Sequence, residues 1–158
     1  MQKTVMGSVL IISEIMLPGQ ANPAGNIHGG EIMKLMDSTA YAVARRYARS
    51  NVVTARVDEL EFHLPIFVGD LVVCIGKVVF AGKSSMEVAV TVEVEDLENG
   101  GIQKALTAYF TMVALDKKGR PQHIPELLLE TDEDRAVFEQ GAARYETYKQ
   151  RKKRQTKE

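Results

Sequence analysis

The sequence predicts an α+β fold in which an antiparallel sheet wraps around one long central helix, with a second helix at the C-terminus. Three observations carry that reading. One stretch with helical spacing, Gly30 to about Arg49, sits early in the chain. Four strand-like segments follow it in succession, with only short connections between most of them. No strand–helix–strand alternation occurs, which argues against a doubly wound parallel sheet.

Residues 5 to 16, rich in Val, Ile and Leu, read as a first strand. "LPGQANPAGN" is a loop by its Pro, Gly and Asn content. In the helix the apolar positions are Ile32, Met33, Leu35, Met36, Ala40, Val43, Ala44 and Tyr47, which is a 3.6-residue period. Its Met and Ala content lets strands pack closely around it. "SNVVTARVDELEFHLP" opens the next strand. Val53, Ala55, Val57 and Glu59 alternate there with Thr54, Arg56, Asp58 and Leu60, so the alternation is imperfect. "PIFVGD" is a turn. "LVVCIGKVVFAG", "SSMEVAVTVEVED" and "KALTAYFTMVALD" read as three long strands parted by "GKS" and "LENGG". Met86, Val88, Val90, Val92 and Val94 share one face of the second of these; Ala105, Thr107, Tyr109, Thr111 and Val113 share a face of the third.

"TDEDRAVFEQGAARYETYKQRKKR" begins with an N-cap signal at Thr131 or Asp132, followed by acids, and ends basic, as a helix dipole favours. Its apolar residues are few: Val137, Phe138, Ala142, Tyr145 and Tyr148. Such a helix is marginal alone and is expected to dock on the body or on a partner subunit. The expected division is a single domain over residues 1–128 and a helical extension with a basic tail over residues 129–158.

A chain of 158 residues suits one domain with its own core. Its formal net charge of -1 gives no general pull toward nucleic acid or an anionic membrane. No apolar run is long enough to span a bilayer. Ser13 and Glu14 interrupt the apolar N-terminal segment, which lacks a secretory h-region and cleavage site, so a cytoplasmic location is expected. The one cysteine, Cys74, excludes an intrachain disulfide and a Cys-cluster zinc site. His28, His63 and His123 lie far apart, and no metal is expected. The tail carries six Lys or Arg between Lys149 and Lys157. It reads as a solvated helix end, or as a contact for nucleotide phosphates, anionic lipid or RNA.

One residue breaks the helix pattern. With about 100° per residue, Asp37 lies about 40° from Met33, inside the stripe that holds Met36, Ala40 and Ala44. A carboxylate there must be paired, hydrogen-bonded or functional. The segment before it, "HGG", puts Gly29 and Gly30 at the helix start. Glycine allows close backbone approach, and a helix N-terminus offers free N–H groups at its positive end. Those features suit an oxygen that gains charge during acyl transfer. Asp37 lies seven residues past Gly30, about 10 Å along the axis, too far for both to act on one carbonyl within a chain. A second subunit supplying one of them is therefore expected. His28 reads as a turn residue or as a general base. "GKSS" reads as a hairpin turn or as a phosphate and amide contact. There is no nucleophile elbow, phosphate loop or dinucleotide fingerprint.

Four segments in order, "ANPAGNIHGGEIMKLMD", "NVVTARVDELEFHLPIFVGD", "GKSSMEV" and "FTMVALDKKGRPQHIP", resemble the hotdog-fold acyl-CoA thioesterases. The group is that of the bacterial short- and medium-chain enzymes and the brain-type cytosolic acyl-CoA hydrolase. "ETDEDRAVFEQGAARY" is similar to the segment that follows the brain-type domain, so the resemblance covers about residues 8 to 150. It implies a hotdog fold and hydrolysis of acyl-CoA, with coenzyme A as part of the substrate and no separate cofactor. It implies that Asp37 is the catalytic base or nucleophile and that Asn22, from another subunit, orients the water or carbonyl. The Gly30 amide, with Gly29, would hold the thioester oxygen. His28, Thr54, Arg56, Gly82, Lys83, Ser84 and Ser85 would contact the substrate or its CoA moiety. It further implies a homo-oligomer, a dimer at minimum and a trimer of dimers in full, with no nucleic acid partner and no stable membrane insertion. Two other readings of the same fold stay open: an acyl-CoA sensor without activity, and a hydroxyacyl-thioester dehydratase using His28 and Asp37.

Overall fold

The structure is a computed structural model and describes residues 3–157. β1 (Lys3–Thr4) is followed by a 3₁₀ turn (Met6–Ser8), β2 (Leu10–Ile15), α1 (Gly29–Ala48), β3 (Asn51–Asp58), β4 (Leu71–Ala81), β5 (Ser85–Glu95), β6 (Ile102–Leu115), β7 (Leu127–Leu128) and α2 (Asp132–Gln155). The expected first strand over 5 to 16 is shorter, because the chain turns through Met6–Ser8 and Ser8 Oγ donates to the Val5 carbonyl. β2, β4, β5, β6 and β3 form one five-stranded sheet in that order, every pair antiparallel. β1 pairs in parallel with β7 beside it. Among the described residues, no helix is long and apolar enough to cross a membrane.

The sheet curls around α1, which is the hotdog arrangement. The inner face carries Val72, Cys74 and Val78, then Met86 to Val92 in alternation, then Leu106, Ala108, Phe110, Met112 and Ala114, all buried. Against them α1 buries Ile32, Leu35, Met36, Thr39, Ala40, Val43, Ala44 and Tyr47. The helix packs tightly over Gly76 of β4. A Cβ there would lie 2.9 Å from a Val43 methyl and 3.0 Å from the Thr39 methyl, so a glycine is required.

α2 covers the outer face. Thr131 caps it by a reciprocal pair of hydrogen bonds with Asp134. Its sparse apolar residues suffice because they meet aromatic partners: the Phe80 ring lies 5.0 Å from Phe138 and 5.6 Å from Tyr145. Gly141 sits directly on Phe80 and Glu87. Glu87, 3% exposed, accepts from Arg144 Nη2 at 2.6 Å. The Arg144 guanidinium lies 3.8 Å from the centre of the Tyr109 ring.

The imperfect alternation of β3 has a structural cause. Thr54 pairs with Met112 and Arg56 with Thr111, so the register shifts by one residue around Ala55. Thr54 therefore faces α1, while Arg56, two residues on, faces α2.

Candidate active site

The loop from Leu17 to Asn26 delivers the chain to α1. Asn22 organises it: its side-chain oxygen accepts from the Ala24 and Asn26 N–H groups at 3.0 and 3.2 Å. With that oxygen committed, the Asn22 amide nitrogen is the group left to donate outward; among the described residues it has no acceptor. The Gln20 carbonyl takes the His28 N–H at 3.0 Å, which fixes the entry into the helix. His28 is the N-cap residue, exposed, with no side-chain hydrogen bond to the helix. Its carbonyl accepts from the Glu31 N–H. Among the described residues, the N–H groups of Gly29 and Gly30 have no acceptor. The space where a Gly30 side chain would stand is open, while Gly29 lies under the edge of the Phe62 ring.

Asp37 departs from the sequence expectation. The buried face of α1 centres on Met36, Ala40 and Ala44, and Asp37 lies on its border, exposed in the single chain. Met33 and Tyr41, one turn to either side, are exposed with it, at 39% and 44%. Asp37 is nevertheless fixed: Thr54 Oγ1 donates to its Oδ1 at 2.7 Å. Thr54 Oγ1 also lies 3.5 Å from the Met112 sulfur. Sequence reasoning placed Thr54 near substrate but did not pair it with Asp37. The bulge at Ala55 is what aims it there, and the broken alternation of β3 was its one visible sign.

The remaining predicted residues divide between two faces. Arg56 is turned away from Asp37. It pairs with Asp58 at 2.5 Å and lies 5.1 Å from the Tyr148 ring of α2. Ser85 is buried on that same outer face, where the Tyr145 hydroxyl donates to it at 3.4 Å. The hairpin turn is held by its backbone: Gly82 N–H donates to Ser85, and Ser84 and Lys83 carbonyls accept from Ala114 and Ile124. Lys83 projects into solvent. Thr54, Met112 and Met86 share one row of the sheet, so this turn lies two strands from Thr54, about 10 Å away. Asn22, Gly30, Asp37 and Thr54 thus share the α1 side of the sheet, while Arg56 and Ser85 do not. Among the described residues, no group of three or more His, Cys, Asp or Glu is placed to hold a metal ion.

A helix start with free amides and a threonine-held carboxylate two turns along thus lie on one side of the curled sheet. The chain belongs to the thioesterase superfamily, whose profile matches residues 24–100. It is 35% identical over 144 residues to the cytosolic acyl coenzyme A thioester hydrolase of Mus musculus, covering 90% of this chain and 38% of the relative. It therefore spans well under half of that protein. A Staphylococcus aureus acyl-CoA hydrolase, solved with butyryl coenzyme A and coenzyme A, superposes with a TM-score of 0.88 at 31% identity, covering 99% of this chain and 95% of that one. Structures of that hydrolase include alanine variants of one threonine, one aspartate and one asparagine. A hexameric acyl-CoA thioesterase, solved without ligand, superposes at 0.88 with 34% identity, covering 95% and 96%.

Proposed function

We propose that the protein hydrolyses acyl-CoA thioesters to the free acid and coenzyme A. The observation that carries this is the hydrogen bond from Thr54 to Asp37 on the open face of α1. It leaves one carboxylate oxygen free and holds the other still, as a base or nucleophile requires.

In the base route, Asp37 takes a proton from water while the water oxygen bonds to the thioester carbon. The carbonyl oxygen gains negative charge and is held by the Gly30 N–H, with Gly29 beside it. The carbon–sulfur bond then breaks, and the proton passes from Asp37 to the CoA thiolate. In the nucleophile route, an Asp37 oxygen bonds to the thioester carbon as the carbon–sulfur bond breaks and CoA leaves as the thiolate. Water then adds to the acyl carbon of the mixed anhydride, which frees the acid and the Asp37 carboxylate and gives its proton to the thiolate. Asn22, with its side-chain oxygen tied to the loop, donates from its amide nitrogen to the attacking water or the carbonyl. The intervals between the three residues replaced in the S. aureus hydrolase equal those from Asn22 to Asp37 and from Asp37 to Thr54, which supports assigning these three to one site.

Within one chain Gly30 and Asp37 are about 10 Å apart along the helix, so the site is composed across a dimer. β3 is an unpaired sheet edge, and the exposed Met33, Tyr41 and Val53 stand beside it. Pairing two such edges covers them and brings one subunit's Asn22 or Gly30 to the other's Asp37. A hexamer of three such dimers is the proposed full assembly, in line with the hexameric relative. His28, Lys83 and Ser84 are proposed substrate contacts; coenzyme A enters only as part of the substrate. A cytoplasmic setting agrees with the cytosolic mouse relative. A dehydratase would need His28 of one subunit and Asp37 of the other to converge on a hydroxyacyl thioester; hydration of an enoyl-CoA by the protein would favour that reading.

The test is thiol release from acyl-CoA esters of increasing chain length, with Asp37→Ala as control, followed by mixing Asn22→Ala and Asp37→Ala chains. Turnover is lost in each variant and partly restored in the mixture, where one site of each mixed dimer has both residues. Binding of acyl-CoA with no thiol release by the unmodified protein would replace this reading with the sensor.

A further inference from the structure

The C-terminal end of α2 carries charge that neither the fold nor the thioester site uses. Six of the 20 Lys and Arg lie between Lys149 and Lys157 with no acid among them, which leaves 14 against 21 acids in the rest of the chain. The molecule is therefore basic at one end and acidic elsewhere, although its net charge is only -1. All six side chains are exposed. Among the described residues, none of the six forms an ion pair.

The helix dipole accounts for part of this charge. Lys152, Lys153 and Arg154 occupy the last turn, which is enough to complement the dipole. The further cations work against the helix. Lys149 and Lys153 stand four residues apart and Arg151 and Arg154 three apart, so like charges face each other along the surface. The docking of α2 does not need them either. Its contacts with the sheet run from Phe138 on Phe80 to Tyr148, whose ring lies 5.1 Å from the Arg56 guanidinium. Past Tyr148 the helix stands off. An open groove of about 520 Å³ separates Arg151, Lys152 and Gln155 from Arg56, Val57 and Asp58 of β3.

The charge is arranged for a surface rather than for a pocket. At about 100° per residue, the five cations from Lys149 to Arg154 leave no gap wider than about 100° around the helix. No apolar residue follows Tyr148, so this end has no stripe to bury among acyl chains. It also has no aromatic ring on which a nucleic acid base could stack, since Tyr148 already faces Arg56. A basic end on an acidic body turns tail-first toward an anionic plane, which holds the acidic remainder away. A flexible polyanion bound to the tail would meet that remainder.

We propose that the end of α2 docks the protein, without insertion, on an anionic lipid surface. Each Lys or Arg close to such a surface raises affinity about fivefold, so six suffice for reversible attachment. In the proposed dimer, joined at β3, both tails lie on the outer side of the joined sheet, and one surface engages both. Under the acyl-CoA reading, docking brings the site to where long acyl chains partition; the docking itself does not rest on that reading.

Co-sedimentation of the full chain with vesicles tests this without substrate. At low salt the unmodified protein sediments with phosphatidylcholine vesicles that contain about a third phosphatidylglycerol, and not with phosphatidylcholine alone. Salt at about 0.5 M releases it. Lys153→Gln/Arg154→Gln/Lys157→Gln weakens the binding about a hundredfold. Lys34→Gln/Lys104→Gln/Lys118→Gln removes as much charge from exposed positions on the body and weakens it at most about threefold. Lys152→Arg/Lys153→Arg/Lys157→Arg keeps the charge and binds as the unmodified protein does. Absence of binding to the anionic vesicles overturns the proposal, as does equal weakening by the two Gln variants. Equal binding to neutral vesicles overturns it by showing an apolar contact. Tighter binding to polyuridylate than to the vesicles at the same salt overturns it in favour of a nucleic acid partner. A chain that sediments with the vesicles yet releases no thiol from acyl-CoA overturns the thioesterase reading alone.

Discussion

Thr54 Oγ1 and Asp37 Oδ1 stand 2.7 Å apart, joining the edge strand of the sheet to the exposed side of the central helix. Under the proposed hydrolysis the bond carries a kinetic prediction. Asp37→Asn is expected to lower kcat by about 10²–10⁴-fold, the usual contribution of a positioned base. Thr54→Val leaves the carboxylate in place but free to rotate, and is expected to lower kcat about tenfold, in line with one hydrogen bond to a charged group. Thiol-release assays with calorimetric measurement of acyl-CoA binding check both. Equal kcat in Thr54→Val and the unmodified protein would show that the bond has no catalytic part.

The Glu87–Arg144 pair fastens α2 to the sheet, and its two halves are not equivalent. Glu87 is 3% exposed and, among the described residues, meets no other cation, whereas the Arg144 side chain keeps 18% of its surface. Arg144→Met strands a buried carboxylate and is expected to cost about 3 kcal/mol. Glu87→Gln retains an acceptor for the guanidinium and is expected to cost about 1 kcal/mol. Urea unfolding measures the difference; equal costs would mean that water reaches Glu87.

Gly141→Ala normally favours a helix by about 1 kcal/mol. Here the added Cβ falls 2.8 Å from the Phe80 Cβ and 3.1 Å from Glu87 Oε1, atoms that cannot simply rotate away. Overpacking costs about 1–3 kcal/mol, so the net effect is destabilising and α2 loosens. Amide hydrogen exchange should quicken across α2 first and leave α1 protected. Slower exchange in α2 would show that the helix was never held close.

Burial raises the Cys74 thiol from 9.0 to about 11 and, with Glu126, raises the Tyr47 phenol from 10.0 to about 12. The unfolded chain loses these protons first, so it binds fewer protons than the fold in that range. Their stabilising contribution is full below pH 9 and declines as pH rises toward 12. Lys3 acts in the opposite sense, since its pKa is lowered in the fold. Tyr47→Phe isolates one component. It loses the hydrogen bond donated to the Pro125 carbonyl, about 1 kcal/mol at neutral pH, and its stability should fall less steeply between pH 10 and 12. Cys74 should resist alkylation at neutral pH until the protein unfolds.

The architecture was legible because the periods are long and clean. Met86 to Val94 could only face a core, and the row Ile32 to Tyr47 could only be a helix. The "HGG" start and Asp37 were legible because each breaks a local rule. Three things were hidden. The exposure of Asp37 depends on which side of α1 the sheet covers, and 40° of helix rotation decides it. The opposite aims of Thr54 and Arg56 depend on one unpaired residue, invisible to a period-two reading. The Arg144–Glu87 pair joins residues 57 apart in sequence, and only the docking of α2 brings them together.

The bulge at Ala55 is a parity switch in the strand. Up to Thr54, even-numbered residues look toward the helix; from Arg56 onward, even-numbered residues look away. Removing Ala55 alone would let Arg56 follow Thr54 in regular pairing, with Thr54 still opposite Met112, Arg56 opposite Thr111 and Val57 opposite Phe110, so every face would be kept. Regular pairing with Ala55 retained would do the reverse: Arg56 would turn inward and Val57 would lose its place against the core. The extra residue is what lets positions 54 and 56, two apart in number, serve opposite sides of the sheet.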